Sequence, residues 1–377
     1  MTAPTTSEAP GGATVHDVAR VAGVSAMTVS RVINGRASVS DATRSKVEAA
    51  IAALRYEPNL AAREARTGTL RIGLLYSNPS ASFLSEFLVG AMEQCRRGGG
   101  QLMLERCDDL ASQLAAIDSL VESSVDGMLV PPPLCDDPEV LGQLKQLGIP
   151  VIAVATARPS PDASAVRVDD YQGALAMTRH LLDLGHRDIA FIQGDPAHTP
   201  ALLRQQAFCD AMREAGLDVP PARIAQGYFT YRSGLDAARR LLSAQPLPTA
   251  IFASNDDMAA AALAVAHGMG LQVPQMLSIC GFDDTPVATI VWPELTTIRQ
   301  PIADMARAAV TLVLDEIRQR RAGEHRPAVH RLMEFSLVER ASTAAVAPTM
   351  LSDYAATRPM TAPLERASTA TAPRRSD

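Results

Sequence analysis

The sequence predicts an all-α helix-turn-helix head followed by an α/β body of two doubly wound parallel-sheet lobes. Residues 14–56 read as three short helices. From Leu70 to about Glu339, short apolar runs alternate with amphipathic helical stretches, the pattern of a parallel sheet covered on both faces. At 377 residues the chain is too long for one ordinary domain, and about 270 residues of alternating pattern suffice for two lobes.

The head builds from local signals. Thr14 with Asp17 three residues on is a capping-box-like helix start, and Val15, Val18, Ala19 and Ala22 give that helix one apolar face. Gly23 supplies a turn. Ser25 with Thr28 caps a second helix, on which Val29, Val32 and Ile33 share the buried side while Ala26, Met27, Ser30, Arg31 and Asn34 face away. Ser40 opens a third helix whose Val47, Ala50, Ile51 and Leu54 recur at helical spacing. Two short helices around a glycine turn form the motif whose second helix enters the DNA major groove.

In the body, strand-like runs include Arg71–Tyr76, Gly127–Val130, Val151–Ala155, Asp188–Ile192, Ala250–Ala253 and Leu277–Phe282. Helix-like stretches include Gln172–Leu184, Arg232–Leu242 and Asp256–Met269. Domain boundaries follow: a flexible lead over 1–13, the head over 14–57, a hinge and linker over 58–69, and the body over 70–340. Residues 341–377 are rich in Ala, Thr, Ser and Pro, with only Leu351 and Leu364 as large aliphatics, and are expected to be disordered.

Composition narrows the function. The net charge of −6 divides unevenly: residues 14–66 hold eight basic against five acidic side chains, so the remainder is the acidic part. A small basic head on an acidic body suggests a polyanion-binding module fused to something else. Five cysteines, none spaced as CxxC, fit neither a disulfide framework nor a zinc ribbon and suit a reducing cytoplasm. No apolar run reaches 18 residues and the N-terminus lacks a signal-peptide pattern, so neither a membrane span nor secretion is expected. No GxGxxG follows a strand, and GxxxxGK[ST], HExxH and GxSxG are absent. Neither an enzyme nor a cofactor or metal site is therefore expected.

The stretch from Thr14 to Gly35, Thr-Val-His-Asp-Val-Ala-Arg-Val-Ala-Gly-Val-Ser-Ala-Met-Thr-Val-Ser-Arg-Val-Ile-Asn-Gly, resembles the head of the LacI/GalR family of bacterial transcriptional repressors. The match continues through Val39-Ser40, Thr43-Arg44, Val47, Ala50, Leu54, Tyr56, Pro58-Asn59 and Ala61-Ala62-Arg63, and the likeness extends over nearly all of residues 14–340. By this resemblance Ala26, Met27 and Arg31 read bases, Arg31 through a bidentate pair to guanine. Thr14, Ser25, Thr28, Ser30, Asn34 and Tyr56 position phosphates, and His16 sits where the family also meets DNA. The hinge contributes Asn59, Ala62 and Ala65. Family members wedge a leucine between base pairs at the position of Ala65, a departure that implies weaker bending.

Polar groups fall just after the body's strands, at Ser77-Asn78, Asn255-Asp256 and Asp283-Asp284, where parallel sheets bind ligands. The body resembles the family's effector core, itself similar to periplasmic sugar-binding proteins. Matched residue by residue, Arg204 falls on the arginine that holds ligand hydroxyls or carboxylates and Phe229 on the stacking aromatic. Asn255 and Asp283 fall on the pair gripping sugar hydroxyls, and Ser77 and Phe83 come from the first lobe. The resemblance implies a cytoplasmic homodimer that binds a pseudo-palindromic operator and responds to a sugar or short oligosaccharide. A purine or other non-sugar co-repressor, or a soluble sugar-binding protein, are the alternatives.

Overall fold

The computed structural model describes residues 15–25, 28–29, 32, 41–54, 69–77, 80–107, 110–146, 148–324 and 326–346. The chain divides into two compact units, Met1–Thr69 and Leu70–Asp377.

In the first unit, α1 (Val15–Ala22) stops at Gly23, whose φ of 66° is a left-handed turn that glycine adopts without a Cβ penalty. The Val24 amide then returns to the Ala19 carbonyl at 3.0 Å. Ser25 Oγ accepts the Thr28 amide at 3.2 Å, the expected cap of the next helical residues. With α2 (Asp41–Leu54), these pieces enclose Val18, Ala19, Val29, Val32, Val47 and Ala50. So few small side chains, worth roughly 1.5–3 kcal/mol per fully buried valine, hold a domain of this size only marginally.

The second unit opens with β1 (Leu70–Tyr76), α3 (Ala81–Gly98), β2 (Gly100–Arg106), α4 (Leu110–Glu122), β3 (Gly127–Val130), α5 (Pro138–Gln146), β4 (Val151–Val154) and β5 (Ser164–Arg167). A second series follows: α6 (Asp170–Asp183), β6 (Ile189–Gln193), α7 (Thr199–Glu214), β7 (Ile224–Gln226), α8 (Tyr231–Ser243), β8 (Ala250–Ala253), α9 (Asp256–Gly268), β9 (Ser278–Cys280), α10 (Val287–Ile290) and β10 (Thr297–Arg299). The chain then returns through α11 (Ile302–Arg321) and β11 (His330–Leu332), and β12 (Ser336–Val338) follows.

Two parallel sheets result, ordered β11-β5-β4-β3-β1-β2 and β7-β6-β8-β9. Their central strands are buried on both faces, as in Met128, Leu129 and Val130 of β3 or Ala250–Ala253 of β8, so they read as continuous apolar runs. The chain crosses between lobes three times. Val168 packs in the first core and Ala174 in the second, Ile298 in the second and Ile302 in the first, Met333 in the first and Phe335 in the second. The doubly wound architecture expected from the sequence is present. The apolar-run reading omitted β2, β5, β7, β10, β11 and β12: β2 is half-exposed, and the others are only three or four residues long.

The expected disordered tail needs correction at its start. Ordered packing continues from 341 to 346: Ser342 is fully buried, donating Oγ–H to the Ile279 carbonyl at 2.5 Å and accepting the Thr296 amide at 2.8 Å. The Ala344 carbonyl lies 3.0 Å from Nε2 of buried His186. Hydrogen bonding, invisible to an apolar-content argument, holds this segment; residues 347–377 of the expected tail lie outside the described residues.

Helices α3 and α11 meet backbone to backbone at Gly90, where a Cβ would fall 2.1 Å from the Ala303 carbonyl oxygen. Gly90→Ala should therefore destabilise the protein by about 1–3 kcal/mol, the overpacking cost exceeding the roughly 1 kcal/mol that alanine gains in helix propensity. Gly142→Ala, in α5 with nothing within 4 Å, should instead stabilise it. Chemical denaturation of both variants checks the contrast, and a stabilised Gly90→Ala would contradict the close helix approach.

Candidate functional site

The carboxyl ends of both sheets face each other across a narrow cavity. Ser80, Phe83, Pro132 and Ala155 line it from the first lobe, and His198, Pro200, Arg204, Phe229 and Asp283 from the second, with Gln300 at a crossing. Four of the six candidate effector residues, Phe83 from the first lobe and Arg204, Phe229 and Asp283 from the second, thus line one cavity. Carboxylates bridge the lobes beside it. Asp257 accepts from Ser80 Oγ at 3.0 Å and Ser82 Oγ at 2.8 Å, and Asp136 accepts from Thr199 and Thr156.

Arg204 stands one turn into α7 and is only 5% exposed, so its charge needs compensation on the spot. Nε donates to Asp170 Oδ1 at 2.9 Å and Nη2 lies 2.7 Å from the same oxygen. Nη1 donates to the Ser254 carbonyl at 2.6 Å and lies 3.6 Å from Asp283 Oδ1. The guanidinium carbon sits 3.8 Å from the Phe282 ring centroid, a cation–π stack. Most of its five N–H groups are therefore engaged within the protein.

Asp283 follows β9 with φ at 114°, its amide donating to the Ile298 carbonyl at 2.8 Å. Gln300 Nε2 donates to its Oδ1 at 2.6 Å. Burial outweighs the attraction of Arg204 and pushes the Asp283 carboxyl up to about 7. Burial also raises Asp170, despite Arg204, and raises Asp256 well above the ordinary range. Phe229, with φ at 59°, packs where a Cβ on Gly194 would come within 2.2 Å of its ring. The His198 ring stands edge-on to it, centroids 5.3 Å apart.

Asn255 and Ser77 do not line the cavity. Asn255 Oδ1 accepts the Met258 amide at 3.0 Å and Nδ2 donates to the Phe229 carbonyl at 3.0 Å, so Asn255 caps α9 and holds the loop that presents Phe229. Ser77 is half-buried just past β1. His198, Gln300 and Ser80 were missed. His198 and Ser80 sit in strand-to-helix loops of the kind that flagged Asn255, whereas Gln300 follows a strand too short to register as an apolar run.

In the head, Ser25 is exposed and its hydroxyl lies 2.9 Å from that of Thr28, the cap geometry described above. His16 belongs to α1, its side chain outside the described residues. Thr14, Ala26, Met27, Ser30, Arg31, Asn34, Tyr56, Asn59, Ala62 and Ala65 lie outside the described residues as well. Among the described residues no His, Cys, Asp and Glu cluster suited to a metal is found, and no helix is long and apolar enough to cross a membrane.

Comparison with known proteins adds independent findings. Residues 14–59 match the bacterial regulatory proteins of the lacI family, and residues 178–343 match a periplasmic binding protein-like domain. The chain is 35% identical over 338 residues to the HTH-type transcriptional repressor PurR of Pectobacterium atrosepticum, covering 88% of this chain and 97% of that one. The PurR of Klebsiella pneumoniae is 36% identical over the same shares. Among solved structures, the complex of the transcriptional regulator CelR with cellobiose has a TM-score of 0.66 and 32% identity, covering 88% of this chain and 99% of that one. The lac repressor dimer bound to operator and the anti-inducer ONPF has a TM-score of 0.67 and 28% identity, covering 89% and 100%.

The buried Asp283 carboxyl gives the protein a pH signature. Its folded-state value of about 7 lies above that of an exposed carboxyl, so its stabilisation is complete below about pH 4 and lost as pH rises through 7. Asp283→Asn cannot titrate, so its stability relative to the parent should rise between those pH values. Urea titrations across that range check this, and a pH-independent difference would contradict the raised carboxyl.

Proposed function

The chain belongs to the lacI family of bacterial regulatory proteins and is a ligand-responsive transcriptional repressor of that family. From this premise we propose that it is a cytoplasmic homodimer that controls carbohydrate uptake or catabolism genes through a sugar effector bound in the interlobe cleft. The observation that carries the reading is the convergence of Asp283, Arg204, Phe229 and Phe83 on one cavity. A carboxyl accepts from neighbouring hydroxyls, while an aromatic face covers the apolar side of a sugar ring. The cellobiose complex of CelR supports a carbohydrate ligand. A second reading, a purine or other flat co-repressor, is favoured by one feature: Phe83 and Phe229 approach the cavity from opposite lobes, as a planar ring requires.

The head would supply the output. Arg31, Met27 and Ala26 read bases, and Thr14, His16, Ser25, Thr28, Ser30, Asn34 and Tyr56 fix the register. The hinge positions Asn59, Ala62 and Ala65 meet the minor groove, and Ala65 is too small to wedge deeply between bases. Exposed Ile290 and Trp292, 78% and 79% accessible, and Val89 and Met92 on α3 offer apolar surface for a second copy. Effector binding would change how the lobes close and so shift the paired hinges, a coupling of typically ~1–3 kcal/mol.

Anisotropy titration of a randomised-selection operator, with sugars and purines added singly, tests the reading. One compound should change operator affinity by about 5–150-fold. No change with any compound would refute an effector of either class. In the same selection, Arg31→Ala should relax preference at one base pair and weaken binding by ~1–3 kcal/mol. Recovery of the parental consensus would demote Arg31 to a backbone contact.

A further inference from the structure

Among the described residues, four buried side-chain nitrogen or oxygen atoms lack a hydrogen-bond partner: His198 Nδ1 and Nε2, Gln300 Oε1 and Gln113 Oε1. The first three belong to residues lining the cleft, and Gln113 does not line it. A buried polar group without a partner is rare and destabilising, so such atoms gathered on one cavity point to a missing partner.

Each group is held in place while its hydrogen-bonding capacity stays open. Gln300 Nε2 donates to Asp283, which leaves Oε1 as an acceptor that only an incoming N–H or O–H can satisfy. His198 is 4% exposed and braced edge-on by Phe229, and its Nδ1 is 3.8 Å from Asp195 Oδ1, beyond hydrogen-bonding reach. The cleft's buried cation, Arg204, already faces Asp170 at 2.7 Å and Asp283 at 3.6 Å. A phosphate or carboxylate entering here would add negative charge beside these acids in a desolvated place.

We propose that His198 and Gln300 determine specificity, and that the cleft takes an uncharged ligand bringing a donor to Gln300 Oε1 and a polar edge to His198. The proposal rests on the reading of this cleft as the effector site and deepens it, since phosphorylated and acidic compounds are excluded.

The test uses the full chain and three pairs of compounds: glucose with glucose 6-phosphate, cellobiose with cellobionate, and inosine with inosine monophosphate. Calorimetry should find a neutral member that binds at least tenfold more tightly than its anionic counterpart. His198→Phe and Gln300→Met should each weaken that binding at least tenfold, and His198→Gln should restore part of it. Without ligand, His198→Phe removes an unsatisfied polar group and should raise Tm by roughly 2–4 °C, whereas Gln300→Met also loses the donor to Asp283 and should not; cooperative unfolding of both variants establishes that they fold. An anionic member binding as tightly as its partner overturns the proposal, as does the absence of any neutral binder at millimolar concentration. Binding lost in Phe229→Ala but kept in both His198→Phe and Gln300→Met refutes the selector alone. Binding that survives Phe229→Ala lies outside the cleft and refutes the effector-site reading itself.

Discussion

The second lobe is organised around one buried cation. The Arg204 guanidinium is bound by Asp170 at the start of α6, the Ser254 carbonyl beyond β8, the Phe282 ring and, more distantly, Asp283 beyond β9. These groups come from separate points along the carboxyl edge of one sheet. A buried charge whose partner is removed costs several kcal/mol, so that edge cannot drift without loss. The same network keeps Asp283 against the cavity, and burial leaves its carboxyl titrating near neutrality, at about 7.

That rigidity explains an uneven distribution of backbone strain. Among the described residues, the non-glycine positions with positive φ are Ser124, Ala155, Phe229, Asp283 and Asp284. Ala155, Phe229 and Asp283 line the cleft, and Asp284 adjoins it. Such conformations persist only where the surroundings over-determine them. Asn255 Nδ2 holds the Phe229 carbonyl. The Gln300 amide donates to the Asp283 carbonyl at 3.2 Å, and Arg299 and Arg340 each approach the Asp284 carboxylate at 2.6 Å. Strain at the cleft and hydrogen bonds behind it are two sides of one arrangement.

Much of this was legible in the sequence, because buried parallel strands must be apolar and the residues after them meet at one edge. That logic recovered β1, β3, β4, β6, β8 and β9 and flagged Asp283, whereas Arg204, Phe229 and Phe83 came from the family resemblance; all four line one cavity. A polar residue at a strand end can also serve structure. Asn255 fits the pattern of a ligand-gripping amide yet its hydrogen bonds cap a helix and hold a carbonyl. The sequence reading failed for the segment 341–346, whose order depends on hydrogen bonds from His186, Ser278 and Ser342 rather than on apolar bulk. His198 and Gln300 stayed hidden because an orphaned nitrogen or oxygen is a property of three-dimensional surroundings, which composition and spacing do not encode.

A double-mutant cycle between Arg204→Met and Asp170→Asn, read by equilibrium unfolding, tests the central claim most directly. If the buried ion pair organises the lobe, each single variant should lose about 3–5 kcal/mol, because it strands its partner. The double variant should then lose markedly less than the sum, with a coupling of about 1–3 kcal/mol. Losses that add to within about 0.5 kcal/mol would show that Arg204 and Asp170 act independently, and would contradict the account.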